Sequence, residues 1–353
     1  MSWEENVRKV EPYVAGEQPR QSGVIKLNTN ECPYPPAPGV VRKAKELEWE
    51  KLRLYPDMNA EKLVEALAEY YHIKPSQIFV GVGSDDVLAM SFLTFFNGEK
   101  PILFPDITYS FYDVWAELFR IPYRVCPLDE NFRIRKEDYL KPNGGIIFPN
   151  PNAPTGEQEG LALIEEVVRA NPDSVVIIDE AYVDFGCESA LPLIDKYDNL
   201  MVVQTFSKSR AMAGMRIGYA MAGEKLIGFL KDAKFSFNSY TMNMAAVEIG
   251  AEAVRDEKYF RETVNKIITT REWAKGELEA LGFTGTDSMS NFLFVSHESI
   301  PAEEIFKALK ENNIYVRHWN KPRISNYLRI TVGTDEEMDS LLAFLRDYVE
   351  RYR

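Results

Sequence analysis

The sequence predicts an α/β fold: a mostly parallel sheet covered by helices on both faces, followed by a smaller α+β unit. Three observations carry that expectation. Between Tyr70 and Ala222 short apolar runs alternate with helix-like segments, the texture of βαβ layering. Those runs are continuously apolar rather than alternating, as in strands buried on both faces. After Ala222 the pattern changes to long helical stretches and then a few short strands.

The elements follow in order. The opening stretch contains Pro12, Pro19, Pro33, Pro35, Pro36 and Pro38 and reads as an irregular arm over residues 1–40. The strand expectations for a large domain, 41–245, are Ile78–Val82, Ile102–Pro105, Tyr123–Leu128, Gly145–Pro149, Ser174–Asp179, Leu200–Thr205 and Ile217–Ala222. Helix-like segments such as "SDDVLAMSFLTFF" and "GLALIEEVVRAN" separate several of them. A mainly helical stretch runs from about Lys225 to Leu281. Three short strands, Asn291–Ser296, Ile314–Trp319 and Tyr327–Gly333, belong to a small domain, 246–353, to which the arm also contributes.

Composition narrows the function classes. The net charge of −13 argues against nucleic acid as a partner, because phosphate neutralisation needs a basic face. Three widely spaced cysteines, Cys32, Cys126 and Cys187, argue against a disulfide framework or a paired-cysteine zinc site. The first residues lack a signal peptide's apolar core, and no run reaches the roughly 18 apolar residues of a membrane span. A soluble, cytoplasmic protein is expected. The histidines His72, His297 and His318 are too scattered to suggest a metal site.

Four stretches carry chemistry. In "VGVGSDDVLAM" a strand runs into Gly81 and Gly83, and Ser84 and Asp85 open a helix, which offers free amides to an anion. Taken alone, an ordinary helix cap by Ser84 or Asp85 is the simpler explanation of the same residues. "FPNPNAPTG" is a rigid loop after a buried strand, where α/β proteins place ligands, and Asn152 presents an amide there. In "VVIIDEAYVDF" Asp179 ends an apolar run, with Tyr182 three positions later; a buried carboxylate is costly unless a cation or donor meets it.

The fourth stretch is "TFSKSRAMAGMRIGY". Lys208 follows a strand at the same sheet edge. Desolvation disfavours a charged amine, and a neutral one is a nucleophile able to form a Schiff base. Arg216, fenced by Gly214 and Gly218, has a fork suited to phosphate. A Schiff-base lysine, a carboxylate, an asparagine, a tyrosine and a phosphate cradle together describe a site for pyridoxal 5'-phosphate.

In the order "NPNAPTG", "DEAY" and "SKSRAMAGMRIGY", these motifs resemble the fold-type I pyridoxal-phosphate enzymes, and among them the class II aminotransferases. The stretches "LNTNECPYPP", "LYPDMNAEKLVEALA", "GSDDVL", "DEAYVDF" and "LRITVG" are similar to the histidinol-phosphate aminotransferase family in particular. The resemblance covers nearly the whole chain. It implies that Lys208 forms the Schiff base and shuttles the proton, that Asp179 pairs with the ring nitrogen, and that Asn152 and Tyr182 hold the ring oxygen. It places Tyr109 on the ring face and the Ser84 and Asp85 amides, Ser207 and Arg216 at the phosphate. Tyr55 would reach the phosphate of a neighbouring subunit, which implies a homodimer with shared sites. Arg329, Arg317, Asn30 and the arm residue Tyr13 would meet the substrate, with the arm closing over it.

The implied reaction is transamination between L-histidinol phosphate and 2-oxoglutarate. Aromatic amino-acid transamination and phosphothreonine decarboxylation are alternatives on the same fold. A pyridoxal-phosphate-dependent transcription regulator would need an added DNA-binding domain, for which the chain shows no basic segment. Two departures from the pattern stand out. Ala153 replaces a second asparagine, and Arg210 replaces an uncharged residue, with solvent its expected surroundings. The aromatic string "SFYDVWAELF" is expected mainly in the core, with a minority of its residues facing the substrate.

Overall fold

The computed structural model describes residues 2–352. A two-residue strand, β1 (Ile25–Lys26), precedes the strands of the main sheet. These are β2 (Ile78–Gly81), β3 (Ile102–Pro105), β4 (Tyr123–Cys126), β5 (Gly145–Pro149), β6 (Val176–Asp179), β7 (Leu200–Thr205) and β8 (Gly218–Ala222). Their spatial order is β2-β8-β7-β6-β5-β3-β4. Only β8 runs against the rest, pairing antiparallel with both β2 and β7. A mostly parallel α/β sheet is therefore present, as expected.

Burial on both faces explains the apolar runs. Along β5, β6 and β7, Ile146, Phe148, Val176, Ile178, Leu200 and Val202 enter one core. Their neighbours Ile147, Ile177, Met201 and Val203 enter the opposite one. That is the period-2 alternation of a strand with both sides covered. The first face meets the helices Glu61–Tyr71, Leu161–Ala170 and Met244–Arg255, and the second meets Ser84–Phe95, Tyr112–Phe119 and Glu224–Phe237.

Beyond β8 the expected long helical stretch is three helices, Glu224–Phe237, Met244–Arg255 and Glu257–Ala280. A four-stranded sheet follows, built from β9 (Phe283–Gly285), β10 (Phe292–His297), β12 (Arg317–His318) and β13 (Leu328–Thr331), in the order β12-β13-β10-β9. The expected single strand Ile314–Trp319 is broken. Its first half, β11 (Ile314–Tyr315), pairs in parallel with β1 of the arm, and only its second half joins β13. The arm thus completes a small sheet with residues about 290 positions later in the chain.

Candidate active site

The antiparallel β8 sits between β2 and β7, so β2 and β7 point the same way as β3, β5 and β6. Six carboxyl ends and the amino end of β8 therefore share one edge. The motif residues all lie on it: Ser84 after β2, Tyr109 after β3, Asn152 after β5, Asp179 at the tip of β6, Lys208 after β7 and Arg216 before β8. A cavity of about 400 Å³ adjoins this edge; of these six residues, Tyr109 and Lys208 line it, together with Tyr13, Asn30, Arg317 and Arg329 among others.

The glycines of the first motif shape an anion cradle. Gly83, at φ +86°, caps the helix Ser84–Phe95 without any side-chain hydrogen bond to its first amides. A Cβ on Gly83 would lie 2.5 Å from Arg216 Nη2, and one on Gly218 would lie 2.1 Å from Ser84 N. Both glycines are thus needed for the arginine and the helix start to approach each other. Arg216 Nη1 donates to Ser207 Oγ (3.4 Å), and Arg216 Nη2 donates to Asp85 Oδ2 (3.1 Å). The second Asp85 oxygen accepts from Tyr109 Oη (2.7 Å), so one carboxylate links the tyrosine to the arginine. A helix start, a guanidinium and a hydroxyl converging in this way suit a phosphate.

Asp179 is buried at the tip of β6. Its Oδ2 accepts from Tyr112 Oη (2.8 Å) and its Oδ1 from Ala181 N (3.3 Å). Burial pushes its pKa up to about 6 against these hydrogen bonds, and the Asp85 charge adds to the rise. Among the described residues it has no cationic partner. A cation brought by a ligand would favour its ionised form. Tyr112, in an aromatic string expected mainly in the core with some of its residues facing the substrate, is both core and the donor that aims Asp179. Its spacing within a helical pattern contained no signal of that second task.

Asn152 is held by three partners. Its Nδ2 donates to Ile107 O (2.9 Å) and Thr155 Oγ1 (3.0 Å), and its Oδ1 accepts from Thr108 Oγ1 (3.2 Å). Asn30 Nδ2 donates to Tyr182 Oη (2.9 Å), and Asn30 Oδ1 accepts from Thr331 Oγ1 (3.1 Å). Asn30 thereby joins the arm to both sheets.

Lys208 is half-buried. Its Nζ donates to Thr29 O (3.2 Å) and lies 5.6 Å from the centre of the Tyr182 ring. The loop carrying it is tied to itself: Phe206 N donates to Ile217 O, Met212 N to Phe206 O and Ala211 N to Lys208 O. Arg210 corrects the expectation of a solvent-facing cation. It is 7% exposed, lies 4.2 Å from the Phe260 ring and 5.0 Å from the Tyr70 ring, and donates to Ala253 O (2.8 Å). Aromatic faces and a helix carbonyl replace water around it, and nothing in the sequence near Arg210 announces Phe260 or Ala253.

At the cavity mouth Tyr13 stacks on Phe111, with ring centres 4.1 Å apart. Arg329 Nη2 donates to Asn28 O (3.2 Å), while its Nε is buried without a partner. Arg317 Nη2 donates to Val14 O (3.4 Å). Arg323 spans to the large sheet, donating to Asp106 Oδ2 (3.2 Å) and Leu128 O (3.1 Å). Tyr55 does not join this site. It is 83% exposed and stacks on Tyr240.

The residues present fit pyridoxal phosphate: a buried carboxylate without a cationic partner among the described residues, an amine in the loop after the adjoining strand, and an anion cradle walled by two glycines. The model of the aminotransferase class I and II family matches residues 22–345, and the chain belongs to that family. More particularly, it is 53% identical to the histidinol-phosphate aminotransferase of Lactococcus lactis subsp. cremoris (strain SK11), over 99% of this chain and 98% of that protein. In fold it is similar to the histidinol-phosphate aminotransferase of Clostridium acetobutylicum (TM-score 0.85, 23% identity, 92% of this chain and 99% of that one). It is similar also to that of Sinorhizobium meliloti, solved in complex with pyridoxal-5'-phosphate (TM-score 0.84, 23% identity, 93% of this chain and 91% of that one).

Proposed function

We propose that the chain is a histidinol-phosphate aminotransferase. It would move an amino group reversibly between L-histidinol phosphate and 2-oxoglutarate, in histidine biosynthesis, with pyridoxal 5'-phosphate as cofactor. The observation that carries this reading is a cavity lined by Lys208 together with Arg317 and Arg329, at the sheet edge where Asp179 lies buried at the tip of the adjoining strand. Identity of 53% over nearly the full length supports the same substrate.

When bound, pyridoxal phosphate supplies an aldehyde for Schiff-base formation and an electron-withdrawing ring. Lys208 would attach it. The Ser84 and Asp85 amides, Ser207 and Arg216 would hold its phosphate, and Asn152 and Tyr182 its ring oxygen. Tyr109 would pack against the ring. Asp179 would favour a protonated ring nitrogen, and that cation would in turn keep Asp179 ionised. Arg317 and Arg329 bind the anionic end of the substrate, which sets its Cα–H within reach of Lys208. Lys208 Nζ removes that proton as general base and returns it as general acid. Tyr13 and the arm cover the mouth and exclude water. Both half-reactions use one site, so the kinetics are ping-pong.

A second copy of this chain is the proposed partner. Trp49, Leu52, Leu54 and Tyr55 are exposed apolar residues on adjoining turns, and Tyr240 stacks on the last of them. Such a patch suits an interface, from which Tyr55 would reach the neighbour's phosphate cradle.

The test is a half-reaction on the cofactor-loaded protein without any keto acid. L-histidinol phosphate, L-tyrosine and phosphothreonine are added in parallel and the cofactor absorbance is followed. Conversion at micromolar L-histidinol phosphate, with far weaker responses to the others, is expected. A response to tyrosine alone, or carbon dioxide release from phosphothreonine, would overturn the substrate assignment.

A further inference from the structure

Arg317 and Arg329 are direct partners in the β12–β13 register. Their Cβ atoms therefore face each other at about 5 Å on one side of the sheet, where like charges repel. Neither cation is neutralised within the described residues. Arg317 donates to the backbone carbonyl of Val14 and Arg329 to that of Asn28. Burial, and after it the Arg317 charge, pushes the Arg329 pKa down, against an opposing Tyr182 contribution.

One side chain touches both. The Trp319 ring centre lies 5.3 Å from the Arg317 Cζ and 5.1 Å from the Arg329 Cζ. Trp319 follows directly on β12, two positions after Arg317, and its ring lies against both guanidiniums. An aromatic face attracts a guanidinium and is rigid, so it sets the plane of each fork as well as lowering its energy. Phe292 supports Arg329 from another direction, its ring centre 5.2 Å from the Cζ. The arm carbonyls and the two rings together hold two charges side by side before any anion arrives.

We propose that Trp319 is the positioning residue that makes Arg317 and Arg329 act as one clamp for a dianionic phosphate monoester, and so sets the preference for phosphorylated over carboxylate-bearing substrates. The inference rests on the reading given under Proposed function. Its logic is charge and geometry. A phosphate monoester carries close to two negative charges at neutral pH and three acceptor oxygens, enough for two forks. A carboxylate carries one charge and two oxygens, which a single fork satisfies. Loosening the pair therefore penalises the phosphate more.

The experiment uses the cofactor-loaded protein and the variants Trp319→Leu and Trp319→Phe. For Trp319→Leu, kcat/KM for L-histidinol phosphate falls about tenfold, mostly through KM, the effect of weakening one desolvated cation–π contact at each fork. The value for glutamate falls by less than about threefold on the same reasoning. Competitive inhibition by inorganic phosphate weakens while inhibition by acetate moves little. Trp319→Phe recovers most of the preference. Equal losses for both substrates with a lowered Tm, or an unchanged phosphate-to-acetate ratio in Trp319→Leu, would overturn the proposal. Should the parent protein prefer tyrosine, the substrate assignment fails, and the phosphate and acetate competition still decides the clamp.

Discussion

Asp179 is the residue at which stability and function pull apart. Its folded pKa, about 6, stands above the ordinary 3.8 because burial disfavours the charge. The folded cofactor-free protein therefore binds its proton more tightly than the unfolded chain does. Stability from this group is greatest below pH 4 and falls as pH rises through 6, by about 3 kcal/mol in all. Asp179→Asn removes that slope. Thermal unfolding of the cofactor-free proteins at pH 5 and pH 8 measures it: the variant is expected to gain relative to the parent at pH 8 and lose transamination. An identical pH dependence in both would show that Asp179 does not titrate there. Glu180, also raised by burial, to about 7, contributes equally to both proteins and cancels in the comparison.

At the scale of elements, the cradle depends on the helix Ser84–Phe95 keeping its place beneath Gly218. Asp86, in its first turn, accepts from Val82 N (2.9 Å) and pairs with Lys234 of the helix Glu224–Phe237 (2.6 Å). The Lys234 side chain is 3% exposed, so its removal leaves a carboxylate poorly solvated. Lys234→Met is expected to cost about 3 kcal/mol in urea unfolding, the lower range for a broken buried pair. Pairing it with Asp86→Asn should recover much of that loss, because no charge is then stranded. A neutral single variant would mean that water reaches Asp86. The same helix start supplies the phosphate amides, so Lys234→Met should also release cofactor more readily.

The whole molecule is where the site closes. The arm contributes β1, the carbonyls under Arg317 and Arg329, and Tyr13 over the mouth. The proposed second subunit contributes Tyr55. Mixing Lys208→Ala with Tyr55→Ala tests this directly. Each variant alone is expected to be impaired, the second through cofactor retention. Random reassortment of a twofold dimer gives half mixed dimers, each with one intact site, so about a quarter of parental activity should return. Recovery near zero, together with a monomeric mass, would sink the shared site.

What could be read from sequence follows from what is local. Strand ends and turn residues are neighbours in the chain, so Lys208, Asp179, Asn152, Ser84 and Arg216 announced one sheet edge before any coordinates. The strands Ile102–Pro105, Gly145–Pro149 and Leu200–Thr205 were legible to the residue, because strands buried on both faces must be continuously apolar. Contacts across the chain left no such trace. Tyr112 donating to Asp179, Arg210 lying among aromatic rings, and Trp319 against two guanidiniums each join segments whose separation no periodicity encodes. The break in Ile314–Trp319 has the same origin: its first half pairs with the arm and its second with β13, a choice made by tertiary packing rather than propensity. The chain's own order of residues determined the fold, the cofactor chemistry and the edge where they meet. The tertiary structure alone decided how each charge is aimed, because orientation depends on partners that only folding brings within a few ångströms.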